Sequence, residues 1–221
     1  MNEGLIGDRE SYFTIDHFAA VRFEEKKSVF YGWASPITSE QDAISIINNA
    51  KSRYPDAKHH VYAWLLGGRI RQNKYSDDGE PIGTAGIPVF DVLRKNHIED
   101  GIIIVIRYFG GILLGGGGLV RAYTNAAVSA LKEAQTVTMK RYMSYTVKMN
   151  YPEYEKIKRS LSEPDFYIDV KDYGIDIVAE ISCVIQKNDI LHEIIADISN
   201  GKASLVLTGD TMKKSGPVIL S

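Results

Sequence analysis

Apolar and polar residues follow two kinds of spacing along the chain, which divide it into strands and helices. Over 12–23 and 28–34 the alternation has the period of two that is typical of half-buried strands. A helix is predicted to begin at Thr38, because Gln41 follows at the spacing of a capping box. The first region is therefore predicted to be an α/β domain, whose other elements are strands at 60–66, 69–73 and 102–106 and helices at 88–96 and 119–134.

The second region shows a more regular succession of the same two patterns. Asn188 and Asn200-Gly201 delimit one of its helices as cap and stop signals. The order of the predicted elements is βαββαβ, that of the ferredoxin-like split arrangement. These elements are strands at 142–150, 166–172, 175–185 and 203–213 and helices at 152–161 and 188–198. The sequence thus predicts an α+β protein with domains at 1–135 and 136–221.

The composition is that of an ordinary soluble globular protein, with 44% apolar and 24% charged residues. No apolar run reaches the length of a membrane span, and the polar segment 1–10 lacks the apolar core of a signal peptide. Cys183 is the one cysteine in 221 residues, which excludes an intrachain disulfide and any cysteine-based metal site. We therefore expect a cytoplasmic protein that does not associate with membranes.

The net charge is −2, and it is spread evenly over the two regions. A protein that binds nucleic acid through its overall field is expected to be strongly basic. Any such binding would therefore depend on a local patch, for which the first region offers Arg69, Arg71, Lys74, Arg107 and Arg121.

The segment between strand 102–106 and helix 119–134 has the most distinctive composition. Six of the nine residues from 110 to 118 are glycine, the residue that loses most backbone freedom on folding. A glycine-rich turn that leads into a helix directs backbone N–H groups and the positive helix end at one point, which favours anions. Alternatively, the glycines allow tight packing against another element. The candidate ligand contacts are Arg107, Tyr108, Gly110, Gly111, Gly115, Gly117 and Arg121.

The spacing of these glycines matches neither of the common nucleotide motifs. In a P-loop, Lys and then Ser or Thr would stand where Gly116 and Gly117 stand. The dinucleotide fingerprint would need its third glycine at a different spacing and an acidic residue near position 140, and the sequence has neither. Phosphate or a nucleic-acid backbone remains a suitable ligand without either motif. Tyr108 and Phe109 offer rings that either stack on an exposed base or pack in the core.

A second distinctive segment, 75–88, carries three carboxylates within four residues. Asp77, Asp78 and Glu80 offer the oxygen ligands that Mg²⁺ prefers, although Asp, Gly and Pro are equally typical of a solvated turn. Thr84, a further candidate ligand contact, stands just before a short helix, so small residues again surround a helix N-terminus. If the two segments lie together, the carboxylates and the two arginines of the glycine segment stabilise each other, which is a structural alternative to any ligand.

Three segments of the first region resemble the YigZ/Impact family. They are 55–63 (PDAKHHVYA), 75–86 (YSDDGEPIGTAG) and 107–123 (RYFGGILLGGGGLVRAY), within a domain match that covers 12–135. The resemblance implies an N-terminal domain like domain 2 of ribosomal protein S5. It also implies a C-terminal ferredoxin-like domain similar to the last domain of elongation factor G, a link to translation, and a surface for RNA or the ribosome.

The motifs and the resemblance lead to one principal hypothesis and two alternatives. The principal hypothesis is a non-enzymatic regulator of translation that binds RNA, the ribosome or a translation-factor partner through the glycine-rich loop, without a cofactor. The first alternative is a Mg²⁺-dependent enzyme that acts on a phosphate ester or nucleic acid, with the metal ion held by Asp77, Asp78 and Glu80. The second is a protein-interaction module whose glycines are purely structural.

Overall fold

The structure, a computed structural model, describes residues 9–68 and 70–218. It separates into two compact units. The N-terminal unit contains Tyr12–Met139 and the described residues from Lys214 to Val218, and the C-terminal unit contains Arg9–Ser11 and Lys140–Lys213. The fold is α+β, as predicted, and the strand pairs inside its two sheets are antiparallel wherever their register is defined.

The elements up to residue 135 are β1 (Ser11–Ile15), β2 (Ala19–Glu25), β3 (Ser28–Pro36), α1 (Glu40–Arg53), β4 (His59–Leu66), β5 (Gln72–Ser76), α2 (Gly86–Lys95), β6 (Gly101–Tyr108) and α3 (Gly116–Ala134). One sheet has the strand order β2-β3-β6-β4-β5. Helix α1 packs on one face of this sheet, and α2 and α3 pack together on the other. The central strand is therefore β6, with a hydrophobic core on each side.

Strand β6 confirms the predicted strand at 102–106, and its continuous apolar run is buried on both faces. Ile103 and Val105 belong to the core under α2 and α3, whereas Ile102, Ile104 and Ile106 belong to the core under α1. Side chains alternate along a strand, so the side chain of Arg107 lies on the same face as Ile103 and Val105, the face covered by α2 and α3.

Helix α3 lies close to the sheet because alanine makes up most of its buried face. Gly32 of β3 stands opposite the helix, and a Cβ at this position would lie 2.6 Å from the carbonyl oxygen of Ala126. A side chain of any size would push helix and sheet apart, so glycine is required here. The contact between the two backbones thus fixes the place of α3 against β3.

The elements of the second half are β7 (Thr136–Met149), α4 (Tyr151–Ser160), β8 (Phe166–Tyr173), β9 (Ile177–Val184), α5 (Asn188–Ser199) and β10 (Leu205–Val218). They confirm the predicted succession of strands and helices. The second sheet has the order β1-β7-β9-β8, and β10 also pairs with β7. Side chains of α4 and α5 bury one face of this sheet, including Ile157, Leu191 and Ile195. Asn150 and Glu153 form a capping box at the start of α4.

The ends of some elements differ from the prediction. Helix α1 is capped by Ser39, whose Oγ accepts a hydrogen bond from the backbone N–H of Asp42 at 3.1 Å. Thr38, the predicted cap, instead donates from its N–H and hydroxyl to the Asp42 carboxylate, at 2.8 and 2.7 Å. Both residues suit a cap, and the spacing to Gln41 favoured the wrong one.

Two further boundaries affect the site. Strand β5 covers Gln72–Ser76 rather than 69–73, so Tyr75 and Ser76 belong to a strand; Arg69 lies outside the described residues. Helix α3 begins at Gly116 rather than Leu119, so three glycines form its first turn. Among the residues described, none of the helices is long and apolar enough to cross a membrane.

Candidate functional site

Arg107, at the end of β6, forms a buried ion pair with Glu80 of the acidic segment. Its Nη1 lies 2.6 Å from Oε1 of Glu80, and the two side chains are only 6% and 4% exposed. The Tyr123 hydroxyl of α3 donates to the same Glu80 oxygen at 2.7 Å. Burial, together with the Glu80 charge, raises the pKa of Tyr123 far above its ordinary value, so the hydroxyl remains a donor. The acidic and glycine-rich segments therefore meet, which was the condition of the structural alternative, and Arg107 is the arginine that pairs with a carboxylate.

The Arg107 side chain also positions the first residues of the glycine loop. Its Nη2 donates to the Ser28 hydroxyl at 3.3 Å, and that hydroxyl accepts from the Gly110 N–H at 3.3 Å. The guanidinium carbon lies 5.5 Å from the ring centroids of both Phe30 and Phe109, within cation–π range. The prediction that Arg107 contacts a ligand is thus corrected. Its side chain is buried and bonded to Glu80 and Ser28, and it supports the glycine loop from the core side.

Asp77 closes the N-terminus of α2. Its Oδ2 accepts from the N–H of Gly83 at 2.9 Å, and its Oδ1 accepts from Ala85 and Gly86 at 3.0 and 2.8 Å. The helix itself supplies no capping side chain. A carboxylate from an earlier loop therefore satisfies free N–H groups and opposes the positive end of the helix.

Asp78 attaches the acidic loop to β4. Its Oδ2 accepts from the N–H of His60 at 2.6 Å, and its carbonyl oxygen lies 2.9 Å from Nδ1 of His59, which must carry the proton because a carbonyl only accepts. The two histidines point to opposite faces of the strand, since Nε2 of His60 donates to the carbonyl of Tyr54 beside α1. The loop is therefore held by backbone and side-chain contacts together.

The three carboxylates predicted to bind Mg²⁺ do not form one ligand set. Asp77 faces the amides of α2, Asp78 faces β4, and Glu80 is bonded to Arg107 and Tyr123. Over residues 9–68 and 70–218, no three His, Cys, Asp or Glu side chains are grouped in a way that could hold a metal ion. The geometric premise of the predicted site is thus corrected, because each carboxylate has a protein partner of its own.

Thr84 closes a turn and lies against the start of α3. Its N–H and hydroxyl both donate to the carbonyl of Pro81, at 3.0 and 2.7 Å. Its methyl carbon would lie 4.0 Å from a Cβ placed on Gly116. The N-termini of α2 and α3 are therefore neighbours, and the predicted ligand hydroxyl is engaged within its own turn.

The glycines of the loop have different functions. A Cβ on Gly110 would lie 2.0 Å from the carbonyl group of Lys27, so this glycine permits close packing against the β2–β3 turn. Gly111 and Gly115 have φ angles of 83° and 68°, which favour glycine, and nothing lies within 4 Å of a Cβ at either position. Tight packing therefore explains Gly110, whereas positive φ angles explain Gly111 and Gly115.

The N-terminus of α3 is open. Gly115 supplies no capping side chain, and the first turn contains no acidic residue. The first N–H groups of a helix have no partner within the helix, and here they belong to the exposed or half-exposed residues Gly116, Gly117 and Gly118. The backbone donors expected to favour an anion are therefore accessible.

Three exposed cations stand around this open end. Arg121 lies one turn inside α3, and Lys26 and Lys27 form the two-residue β2–β3 turn with φ angles of 46° and 64°. None of the three has an ion-pair partner within the described part of the chain. A cavity of about 100 Å³ separates the turn from the helix and is lined by Glu25, Lys26, Leu114, Gly118, Arg121 and Asn125. We call Lys26, Lys27, residues 109–118 and Arg121 the glycine-loop face.

Sequence reasoning missed Lys26 and Lys27. They lie between the predicted strands 12–23 and 28–34, and only the pairing of Val29 with Tyr108 between β3 and β6 brings them beside Gly110. Of the other cations proposed for a local patch, Arg71 pairs with Glu99 at 2.7 Å, and Lys74 lies on β5, at the opposite edge of the sheet from β2.

The two rings before the glycines separate to opposite faces. Tyr108 is half-buried against Tyr31 and Tyr54, with ring centroids 6.2 and 6.5 Å away, in the core under α1. Phe109 is 44% exposed and lies against Arg107. The predicted ligand contact of Tyr108 is thus corrected to a core contact, and Phe109 is the ring that remains accessible.

Known proteins are similar to this chain over most of its length. Residues 26–131 match the Impact N-terminal domain. IMPACT family member YvyE of Bacillus subtilis (strain 168) is 32% identical over 195 residues, 88% of this chain and 90% of the relative. IMPACT family member YigZ of Escherichia coli (strain K12) is 32% identical over 185 residues, 83% of this chain and 91% of the relative. A crystal structure described as that of a hypothetical protein has a TM-score of 0.59 at 32% identity, covering 90% of this chain and 97% of that one.

Proposed function

Because the chain belongs to the IMPACT family, we propose that it is a non-enzymatic regulator of translation that acts in the cytoplasm by binding RNA, free or on the ribosome. The glycine-loop face is the binding surface in this proposal. The link to translation comes from membership of that family, and the choice of surface comes from the geometry of the chain itself.

One observation carries the choice of surface: an uncapped helix N-terminus lies beside three cations that have no ion-pair partner in the described chain. Backbone N–H groups at a helix N-terminus suit a phosphate, and Arg121, Lys26 and Lys27 would add charge-assisted hydrogen bonds. Glu25 lowers the local charge by one, which leaves a modest positive patch on a chain of net charge −2. A patch of this kind binds through local contacts rather than through the overall field.

The acidic loop supports a binding role over a hydrolytic one. A metal-dependent phosphate hydrolase needs carboxylates that are free to hold its metal ion. Asp77 and Glu80 are instead bonded to helix amides and to Arg107. We therefore regard the acidic loop as the support of the binding surface.

The proposal extends to the architecture of both units. We propose that the N-terminal unit is related to domain 2 of ribosomal protein S5 and that the C-terminal unit is ferredoxin-like, similar to the last domain of elongation factor G. The sheet order β10-β7-β9-β8 with two helices on one face supports the second relation. Folds shared with components of the ribosome cycle would suit a regulator of translation, although a fold alone does not determine a function.

A translation-factor partner is a second candidate, favoured by exposed apolar side chains at the tips of both loops. Ile82 is 97% exposed and Leu113 is 83% exposed. Apolar side chains in such positions are typical of protein contacts. Retention of a protein partner after ribonuclease treatment, and its loss in Ile82→Ser/Leu113→Ser, would support this candidate.

Binding to RNA is tested by measuring affinity over a series of salt concentrations. The variant Lys26→Ala/Arg121→Ala is compared with Lys51→Ala/Lys58→Ala, which removes the same charge from exposed positions outside the glycine-loop face. Each lost phosphate contact should flatten the plot of log affinity against log salt by about 0.7 for a single strand, so the first variant should lose about 1.4. Identical slopes for the two variants would contradict the choice of surface. Ribosome co-sedimentation with the same variants then shows whether the RNA is ribosomal.

A further inference from the structure

We propose that the glycine-loop face takes single-stranded RNA, with one unpaired base stacked on Phe109 and the neighbouring phosphates held by Lys26, Lys27 and Arg121. This inference rests on the proposed function and names the class of RNA that the surface selects.

Phe109 has the position of a stacking platform. Its ring is 44% exposed, although it follows a strand whose first seven residues are buried. The guanidinium of Arg107 lies over the ring, 5.5 Å from its centroid. Because one face of the ring rests on that cation, the accessible surface lies on the other face and along the edge. A flat aromatic surface beside cations suits the face of a base.

The platform is held in place before any ligand arrives. Arg107, beneath it, is buried and bonded to Glu80 and Ser28. Gly110, immediately after it, packs on the backbone of Lys27 and donates its N–H to the Ser28 hydroxyl. A ring fixed from both sides loses little conformational entropy on binding. The rigid surroundings of Phe109 therefore favour stacking as its function over the filling of a gap in the core.

The cations lie near this ring in space. The backbone of Lys27 touches Gly110, the residue that follows Phe109. Lys26 and Arg121 line the same cavity beyond it. A strand whose base rests on Phe109 would therefore carry its phosphates past exposed cations that lack an ion-pair partner in the described chain.

The accessible ring face argues for a single strand rather than a duplex. In an RNA helix the base faces are covered by their neighbours, and only unpaired bases can stack on a side chain. A duplex could use the cations but would leave Phe109 without a contact. The combination of ring and cations is therefore best used by an unpaired segment such as a loop, a bulge or a free end.

The test compares an unstructured 12-nucleotide RNA with a duplex of the same strand and its complement, by fluorescence anisotropy of the full chain. We expect the wild type to bind the single strand more tightly than the duplex. Phe109→Leu should weaken single-strand binding by about tenfold while leaving its salt slope unchanged. Phe109→Tyr should retain binding. Phe18→Leu is the matched control, because Phe18 is 49% exposed and packs on Trp33 in the core under α1.

A spectroscopic signal separates stacking from a general loss of structure. A 2-aminopurine base in the same oligonucleotide should lose fluorescence on binding to the wild type and to Phe109→Tyr, and not on saturation of Phe109→Leu. Equal affinity for strand and duplex, with no effect of Phe109→Leu, would overturn this inference and leave the proposed function standing. Absence of binding to either RNA by the wild type would overturn both.

Discussion

The N-termini of α2 and α3 lie side by side, yet one is filled by the protein and the other is open. The carboxylate of Asp77 accepts hydrogen bonds from three backbone N–H groups at and just before the start of α2. At the start of α3, glycines take the place of a cap, and the charged residues that line the adjacent cavity are Lys26, Arg121 and Glu25, which together carry a net positive charge. The protein thus supplies its own acceptor for the backbone N–H groups at the start of α2 and leaves those at the start of α3 accessible. The difference supports the proposal that the open end is a binding surface, because a neighbouring helix end in the same unit is closed by a side chain of the protein.

Removal of the link between the two segments should have the largest effect. Glu80→Ala would leave Arg107 as an unpaired buried charge, at a cost of about 3–5 kcal/mol in the free energy of unfolding. Urea denaturation measures this loss. Tyr123→Phe removes only a hydrogen bond to the same oxygen and should cost about 1 kcal/mol. If Glu80→Ala and Tyr123→Phe reduce the free energy of unfolding equally, the ion pair does not hold the two helix ends together.

Opening the closed end should have the next largest effect. Asp77→Ala removes the acceptor of three N–H groups at the start of α2 and should reduce the free energy of unfolding by about 2 kcal/mol. The affinity for RNA of the folded variant should not change, because the binding surface is at α3. Asp91→Ala, an acidic residue within α2 paired with Arg94, should cost less than about 0.5 kcal/mol. A large loss of RNA affinity in Asp77→Ala would remove the distinction between the two ends.

Closing the open end should change stability and binding in opposite directions. Gly117→Asp places a carboxylate in the first turn of α3, where a Cβ would contact only Nη1 of Arg121 at 4.0 Å. We expect a gain of roughly 0.5–1 kcal/mol in stability and a loss of RNA affinity on the order of tenfold. Gly117→Ala should share the gain and keep the affinity. Urea denaturation and fluorescence anisotropy on the wild type, Gly117→Asp and Gly117→Ala measure both effects. A loss of RNA affinity in Gly117→Ala would show that side-chain bulk rather than charge is responsible.

The smallest effect concerns the attachment of the acidic loop to β4. Burial holds the pKa of His60 below its ordinary value, and the carbonyl of Tyr54 and the charge of Asp78 only partly oppose this. The unfolded chain therefore takes up a proton at a higher pH than the folded protein, so stability should fall as the pH drops below about 6.5. His60→Gln should reduce the loss of stability between pH 7 and pH 5. An unchanged pH profile in this variant would assign the dependence to other groups.

Local patterns predicted the elements well, because each depends on residues that are near in sequence. The apolar run of β6 and the order of strands and helices in the C-terminal unit are examples. The N-terminal cap of α1 was misplaced by one residue, since Thr38 and Ser39 are both good caps and only the contacts of Asp42 distinguish them. Such errors at helix ends follow from the similar chemistry of adjacent residues.

The candidate site was predicted only in part, because its geometry depends on contacts between distant residues. Arg107 and Glu80 read as ligand-binding residues, since the sequence does not show that they bury each other. Lys26 and Arg121 line the same cavity because the register of β3 on β6 places the β2–β3 turn beside the glycine loop, and a single sequence does not reveal this register. The glycine segment was recognised because six glycines in nine residues are costly wherever they occur, and that signal needs no knowledge of the fold.

The buried cysteine of the C-terminal core has a practical consequence for labelling. Cys183 is fully buried in β9, and burial raises the pKa of its thiol to about 11. Maleimide dyes react with the thiolate, which this residue scarcely forms at neutral pH. A second cysteine introduced at an exposed position such as Leu113 would therefore take the dye alone, without removal of the native residue. The wild-type background is thus suited to a fluorophore that reports directly when the glycine loop is occupied.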